Sequence, residues 1–161
     1  MVQITSEVER RLANLGHVLP NPAGPVANYV PAVQSGALLF ISGQLPFGPD
    51  GALNPAHVGS VGGKVDEATA KQAAALCAVN LLAQARAHVG DLDRLGHCVR
   101  LGGFIRVTDD YTRLAQVMNG ASDLIGAALG DRGAHARSTI GVAQLPLGAC
   151  VEVEAIFEIL P

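Results

Sequence analysis

The chain has 161 residues, enough for one domain, whereas two halves would each be too short to hold a core. Apolar residues make up 49% and charged residues 16%, which excludes a disordered or linker-like chain. The net charge is −3 and the 11 Lys and Arg are thinly spread, so no basic stripe can neutralise a row of phosphates and nucleic acid is not an expected partner.

No window holds 18 uninterrupted apolar residues, and Met1 to Arg11 is polar with a helical pattern rather than an apolar signal segment. The expectation is a cytoplasmic protein with no membrane partner. Cys77, Cys98 and Cys150 are odd in number, lack CxxC spacing and sit in apolar runs, so they read as reduced, buried small hydrophobes. Trp is absent and aromatics are 4%, so a lone chain would build its interior from small side chains with little apolar area each. Association into an oligomer would supply the missing burial.

In chain order, residues 6–15 place Val8, Leu12 and Leu15 at helical spacing behind a Ser6 cap, with Glu9 three residues on and Gly16 at the end. Four prolines and Gly24 between Pro20 and Pro31 forbid regular structure and predict an extended connector. Tyr29 to Gln34 and Ala37 to Ser42, the latter between Gly36 and Gly43, then fit two consecutive buried strands in a hairpin. Residues 46–63 are rich in Gly and Pro without periodicity and read as a long loop. Between Asp66 and Val89, apolar residues recur every three or four positions, which predicts a long helix of small side chains suited to close packing on a sheet. Leu95 to Val107 reads as a strand, with a bulge at Gly102-Gly103. A second amphipathic helix carries Val117, Met118, Ala121, Leu124 and Ile125 on one face and stops at Gly130. Arg137 to Ala143 and Cys150 to Leu160 are the last strands. In the final one Val151, Val153, Ala155, Phe157 and Ile159 point one way, and Glu152, Glu154, Ile156 and Glu158 the other. This order argues an α+β sandwich with two helices on one face, preceded by a short extra helix. We divide it as residues 1–24, an N-terminal helix and Pro-rich connector, and residues 25–161, a single domain.

The phosphate-loop, dinucleotide, nucleophile-elbow and H-E-x-x-H signatures are all absent. The five histidines, His17, His57, His88, His97 and His135, are never spaced i, i+4, which gives no reason to expect a metal site. What remains is a C-terminal cluster. If the last two strands pair as a hairpin across Leu145 to Gly148, Arg137 and Glu152 or Glu154 face a common cleft. There a planar guanidinium would grip a carboxylate while a carboxylate on the neighbouring strand orients a water. The same spacing also fits an ordinary cross-strand ion pair, worth under about 1 kcal/mol if exposed.

Three segments bear on that choice: NYVPAVQSGALLFISGQLP (Asn28 to Pro46), Asn119 within QVMNGASDL, and HARSTIGVAQLPLGACVEVEAIFEI (His135 to Ile159). In this order they resemble the RidA/YjgF family, the reactive intermediate deaminases, over nearly all of the chain from about Pro25 onward. Within it the chain is similar to a longer branch, with its extra N-terminal helix and long loop after Gln44. The resemblance implies a chorismate-mutase-like fold with a mixed β-sheet and a homotrimer with clefts at its subunit interfaces. It also implies hydrolysis of small enamines and imines such as 2-aminoacrylate to 2-keto acids and ammonia, without metal or organic cofactor. By the same resemblance Arg137 would grip the substrate carboxylate and Glu152 would position the water together with the Thr139 backbone carbonyl. Tyr29, Ser42 and Gly43 would line the cleft, Asn119 would support Arg137, and Glu154 would remain a structural or rim charge. Thr139 stands where many members have cysteine and Leu147 where deaminases often have lysine, so thiol chemistry does not carry over and the cleft shape differs. The alternative is a noncatalytic binder of small carboxylates such as 2-keto acids. Endoribonuclease action, attached to some members by name, finds no basic aromatic strip or histidine pair to support it.

Overall fold

A computed structural model describes residues 6–25 and 27–161. Met1 to Thr5, in the polar start, and Val26, in the connector, lie outside the described residues. The first helix, α1 (Glu7–Asn14), is capped as its sequence predicts, with the Ser6 hydroxyl accepting from Glu9 N–H at 3.0 Å. The Asp93 carboxylate accepts from the N–H groups of Glu7 and Val8 at 2.9 and 3.1 Å, which docks this helix end onto the rest of the chain. Val8 and Leu12 are fully buried in the main core, so α1 is packed into the same core as residues 25–161.

Five strands follow: β1 (Ala32–Ser35), β2 (Leu38–Gln44), β3 (Leu95–Arg106), β4 (Ala136–Val142) and β5 (Val151–Ile159). They form one mixed sheet in the order β1-β2-β5-β3-β4, antiparallel except for the parallel β3–β4 pair. Two long helices, α2 (Glu67–Val89) and α3 (Leu114–Leu129), cover one face. Asp66 caps α2 through Thr69 N–H at 2.7 Å, and Gly90 and Gly130 end α2 and α3 at φ +81° and +63°. Ala70, Ala73, Ala74, Cys77 and Ala78 of α2 are completely buried. Small residues let the helices close on each other: a Cβ on Gly120 of α3 would lie 2.0 Å from the Lys71 carbonyl of α2. The three cysteines are free and buried, and burial pushes all their thiols up, Cys98 to about 12 and Cys150 to about 11. Among the described residues no helix is long and apolar enough to cross a membrane.

Three expectations are corrected. The last two strands do not form a hairpin: β3 lies between β4 and β5, so the Leu145 to Gly148 turn feeds a crossover over one strand. The first hairpin forms, but β1 is an exposed edge of four residues, and Tyr29 to Pro31 precede it as a bend. The irregularities of β3 fall between Leu95 and Arg100, whereas Gly102 and Gly103 pair in register with both neighbouring strands. Those two glycines answer to crowding: a Cβ on Gly102 would lie 2.7 Å from a Glu154 oxygen, and one on Gly103 would lie 2.5 Å from the Met118 sulfur.

The burial of α1 gives a direct test. Leu12→Ala should lower the unfolding free energy by about 2–5 kcal/mol in urea titration, as for other core leucines, with helix content retained. An unchanged midpoint would place α1 outside the core.

Candidate functional site

Alternation along β5 sends Val151, Val153, Ala155, Phe157 and Ile159 under the helices, and Glu152, Glu154 and Glu158 onto the uncovered face. Each of these carboxylates lies over a glycine of a flanking strand. Glu152 sits over Gly43 of β2, where a Cβ would be 2.0 Å from its oxygen, Glu154 over Gly102, and Glu158 over Gly96. Two of the three also have polar partners: Glu154 takes a hydrogen bond from Arg100 at 3.4 Å, and Glu158 accepts from His97 N–H at 3.1 Å. Glu152 has neither hydrogen bond nor ion pair among the described residues. Partial burial raises its pKa above the ordinary glutamate value, and the like charge of Glu154 adds to the rise. A carboxylate held this way is a stronger base than one in water.

Tyr29 and Ser42 collect around Gly43, the glycine over which Glu152 lies. The Ser42 N–H and hydroxyl both donate to the Pro31 carbonyl, at 3.0 and 3.2 Å, which fastens the end of the connector against β2. Gln84 of α2 holds the connector further back, donating to the Ala23 carbonyl at 2.8 Å and to Gln44 Oε1 at 3.3 Å. Tyr29, Ser42, Gly43 and Gln44 line one small recess, with the Tyr29 ring 45% exposed at its rim. The adjoining face is apolar and uncovered, with Val33, Leu38, Phe40 and Ile140 between 36 and 52% exposed. A groove of about 280 Å³ runs between Val33, Phe40 and Ile156 on one side and Arg100 and Glu154 on the other.

Arg137 stands elsewhere. Register pairs it with Leu101 of β3, itself paired with Ala155 of β5; both are buried beneath the helices, so Arg137 belongs to the helix face. There its Nη1 donates to Asn119 Oδ1 at 2.9 Å and to Ser122 Oγ at 3.0 Å, two positions three apart on α3. No carboxylate touches it: none of the ion pairs among the described residues involves Arg137. Its Nε and Nη2 hydrogens, the edge that forks onto a carboxylate, make no bond among the described residues. Thr139 is two residues on, on the same face, with a buried hydroxyl oxygen that has no partner. Ser122 Oγ also contacts His135 Nε2 at 2.9 Å, and His135 Nδ1 lies 2.6 Å from the Gly133 carbonyl.

The seven candidate residues therefore fall into two groups. Tyr29, Ser42 and Gly43 gather at the end of β2, with Glu152 reaching them through Gly43, while Asn119, Arg137 and Thr139 gather between α3 and the edge strand β4. The expectation that Arg137 and Glu152 share a cleft through direct strand pairing is overturned, because β3 separates their strands and alternation puts them on opposite faces. One group can grip an anion; the other can accept a proton from water. Ser122 was missed in the sequence, although its spacing from Asn119 on a helix face was the signal that could have found it.

A family model described as endoribonuclease L-PSP matches residues 20–159. Protein TCP17 of Trypanosoma cruzi is 41% identical over 159 residues, covering 98% of each chain. The crystal structure of a protein of unknown function from Agrobacterium tumefaciens is 45% identical, covers 94% of this chain and 92% of that one, and superposes with a TM-score of 0.86. RidA from an Antarctic Psychrobacter is 28% identical, covers 89% of this chain and 97% of that one, and has a TM-score of 0.59. With its mixed sheet, its two covering helices and a match across almost its whole length, the chain belongs to the RidA/YjgF family.

Proposed function

We propose that the chain hydrolyses small enamines and imines that carry a carboxylate, of the 2-aminoacrylate kind, to 2-keto acids and ammonia. The site is shared between copies in a homotrimer. The observation that carries this reading is the separation of an unpaired guanidinium edge and an unpaired, basic carboxylate onto opposite faces of one sheet. Neither finds a partner among the described residues, and a second copy would join them. The exposed apolar residues around the Glu152 group supply the surface such an assembly would bury.

In the assembled cleft the free edge of Arg137 binds the substrate carboxylate bidentately and places the adjacent C=N carbon. An enamine first shifts a hydrogen from nitrogen to its terminal carbon and so becomes the imine. Glu152 of a second copy then takes a proton from water as its oxygen attacks the C=N carbon and passes it to the nitrogen, giving the carbinolamine, whose hydroxyl proton moves to the nitrogen as the C–N bond breaks. Loss of ammonia then leaves the C=O bond, so water supplies the oxygen and two hydrogens, with no change of oxidation state. The Thr139 carbonyl orients the water, Tyr29 and the main chain near Gly43 complete the polar lining, and Asn119 holds Arg137. This chemistry calls on no cofactor. The net charge of −3 weighs against an RNA substrate, and we place the protein in the cytoplasm with a small anionic metabolite as its partner.

The test couples a dehydratase that releases 2-aminoacrylate to detection of the keto acid. The wild-type protein should accelerate release over buffer; Glu152→Gln should lower kcat/KM by about 10²–10⁴-fold, and Arg137→Ala should abolish saturation. An inactive wild type that still binds pyruvate through Arg137 would establish the noncatalytic binder instead. Mixing the two inactive variants under exchange conditions should restore about a quarter of the activity, since each mixed trimer carries one intact site. No recovery would rule out a site shared between copies.

The pH profile follows from Glu152. The ionised form is the base, and its pKa is raised, so kcat/KM should fall on acidification at a pH above the ordinary glutamate range. A profile flat down to ordinary carboxylate values would remove Glu152 from the proton transfer.

A further inference from the structure

We infer that His135 and Ser122 are positioning residues, which fix the orientation of the Arg137 guanidinium before substrate arrives. This rests on the proposed carboxylate-gripping role of Arg137. The Gly133 carbonyl can only accept, so the 2.6 Å contact places a hydrogen on His135 Nδ1. In the neutral ring Nε2 is then bare, and the 2.9 Å contact with Ser122 must be a hydrogen bond donated by the serine hydroxyl. With its hydrogen committed to the imidazole, the Ser122 oxygen turns a lone pair to Arg137 Nη1 at 3.0 Å. Asn119 Oδ1 takes the other Nη1 hydrogen at 2.9 Å. Both Nη1 hydrogens are thus used, and the guanidinium has one edge left to offer, formed by Nε and Nη2.

The chemistry of the holders matters as much as their geometry. A carboxylate at position 119 or 122 would hold the arginine too, but it would neutralise the charge and compete with the ligand. An amide and a hydroxyl hold it while leaving the full positive charge available. The hydroxyl alone could rotate and point its hydrogen at the guanidinium; the imidazole prevents that. Arg side chains carry about 2 kcal/mol of rotamer entropy, and fixing the fork in advance removes that cost from the binding step.

The test uses Ser122→Ala, His135→Leu, His135→Gln and the Ser122/His135 double variant, in which Gln offers a carbonyl oxygen near the place of Nε2. We expect Ser122→Ala and His135→Leu each to raise the dissociation constant for pyruvate, and KM for the imine, by about tenfold, as loss of supporting contacts typically does, with kcat changed much less. His135→Gln should recover most of the affinity, and the double variant should be no weaker than the weaker single one, because both changes break one chain of contacts. Wild-type affinity in His135→Leu, or additive losses in the double variant, would overturn the inference. A readout independent of substrate is the Arg137 side-chain NMR signal: separate, slowly exchanging Nη1 and Nη2 resonances in the wild type that merge in His135→Leu. If those resonances behave as expected while the wild type neither binds pyruvate nor turns over imine, the proposed function fails and the positioning stands; merged wild-type resonances defeat the positioning itself.

Discussion

The insertion of β3 between β4 and β5 governs the chemistry available to this chain. Side chains on a strand alternate between faces, and cross-strand partners share a face, so the register alone decides where each functional group points. Leu101 is the common partner of Arg137 and Ala155, which sends Arg137 under the helices and, three positions from Ala155, leaves Glu152 on the open side. A slip of one residue between β3 and β4 would turn Arg137 to the open face, and one between β3 and β5 would bury Glu152 among alanines and leucines. The buried row from Val151 to Ile159 prevents that slip, since it would put five apolar side chains in water.

Small side chains run through the same logic. With 4% aromatic residues, Phe157 and a set of leucines fill the interior, and alanines of α2 and glycines at contact points let the layers close on them. On the open face glycines have a second use, because Gly43, Gly96 and Gly102 each leave room for a glutamate of β5 to lie flat against the sheet. A flat carboxylate is partly desolvated without a buried partner, the condition that raises the pKa of Glu152. The packing economy of the fold and the basicity of its candidate base therefore share one source.

Much of this was legible in the sequence, for identifiable reasons. The Ser6 cap, the terminating Gly130 and the period-two pattern of β5 are local signals that tertiary context did not override. Strand order was not legible, because a short Pro-Gly turn between two strands fits a hairpin as well as a crossover past a third strand. Gly102-Gly103 misled for a related reason: a glycine pair reads as irregular backbone, while its cause is the bulk of Glu154 and Met118 arriving from elements distant in the chain. The exposure of β1 and of the outward side of β2 escaped too, since Val33 and Phe40 look like core until the sheet is known to have a bare face. At the site, residue types came from resemblance, and their grouping required the register.

That grouping has a physical rationale. A guanidinium and a carboxylate placed in one cleft of one chain would pair with each other; the carboxylate pKa would drop, and the fork would be occupied. Glu154 shows such pairing in its geometry alone, lying 3.4 Å from Arg100 on the same face. Glu152 and Arg137 escape it because the sheet stands between them. The chain keeps its candidate base and its candidate anion grip on opposite faces of the sheet. Arg137 is steadied by neutral acceptors and Glu152 by glycine-backed burial. Among the described residues the Nε and Nη2 edge of Arg137 stays open to an anion, and Glu152 keeps its charge without an ion pair.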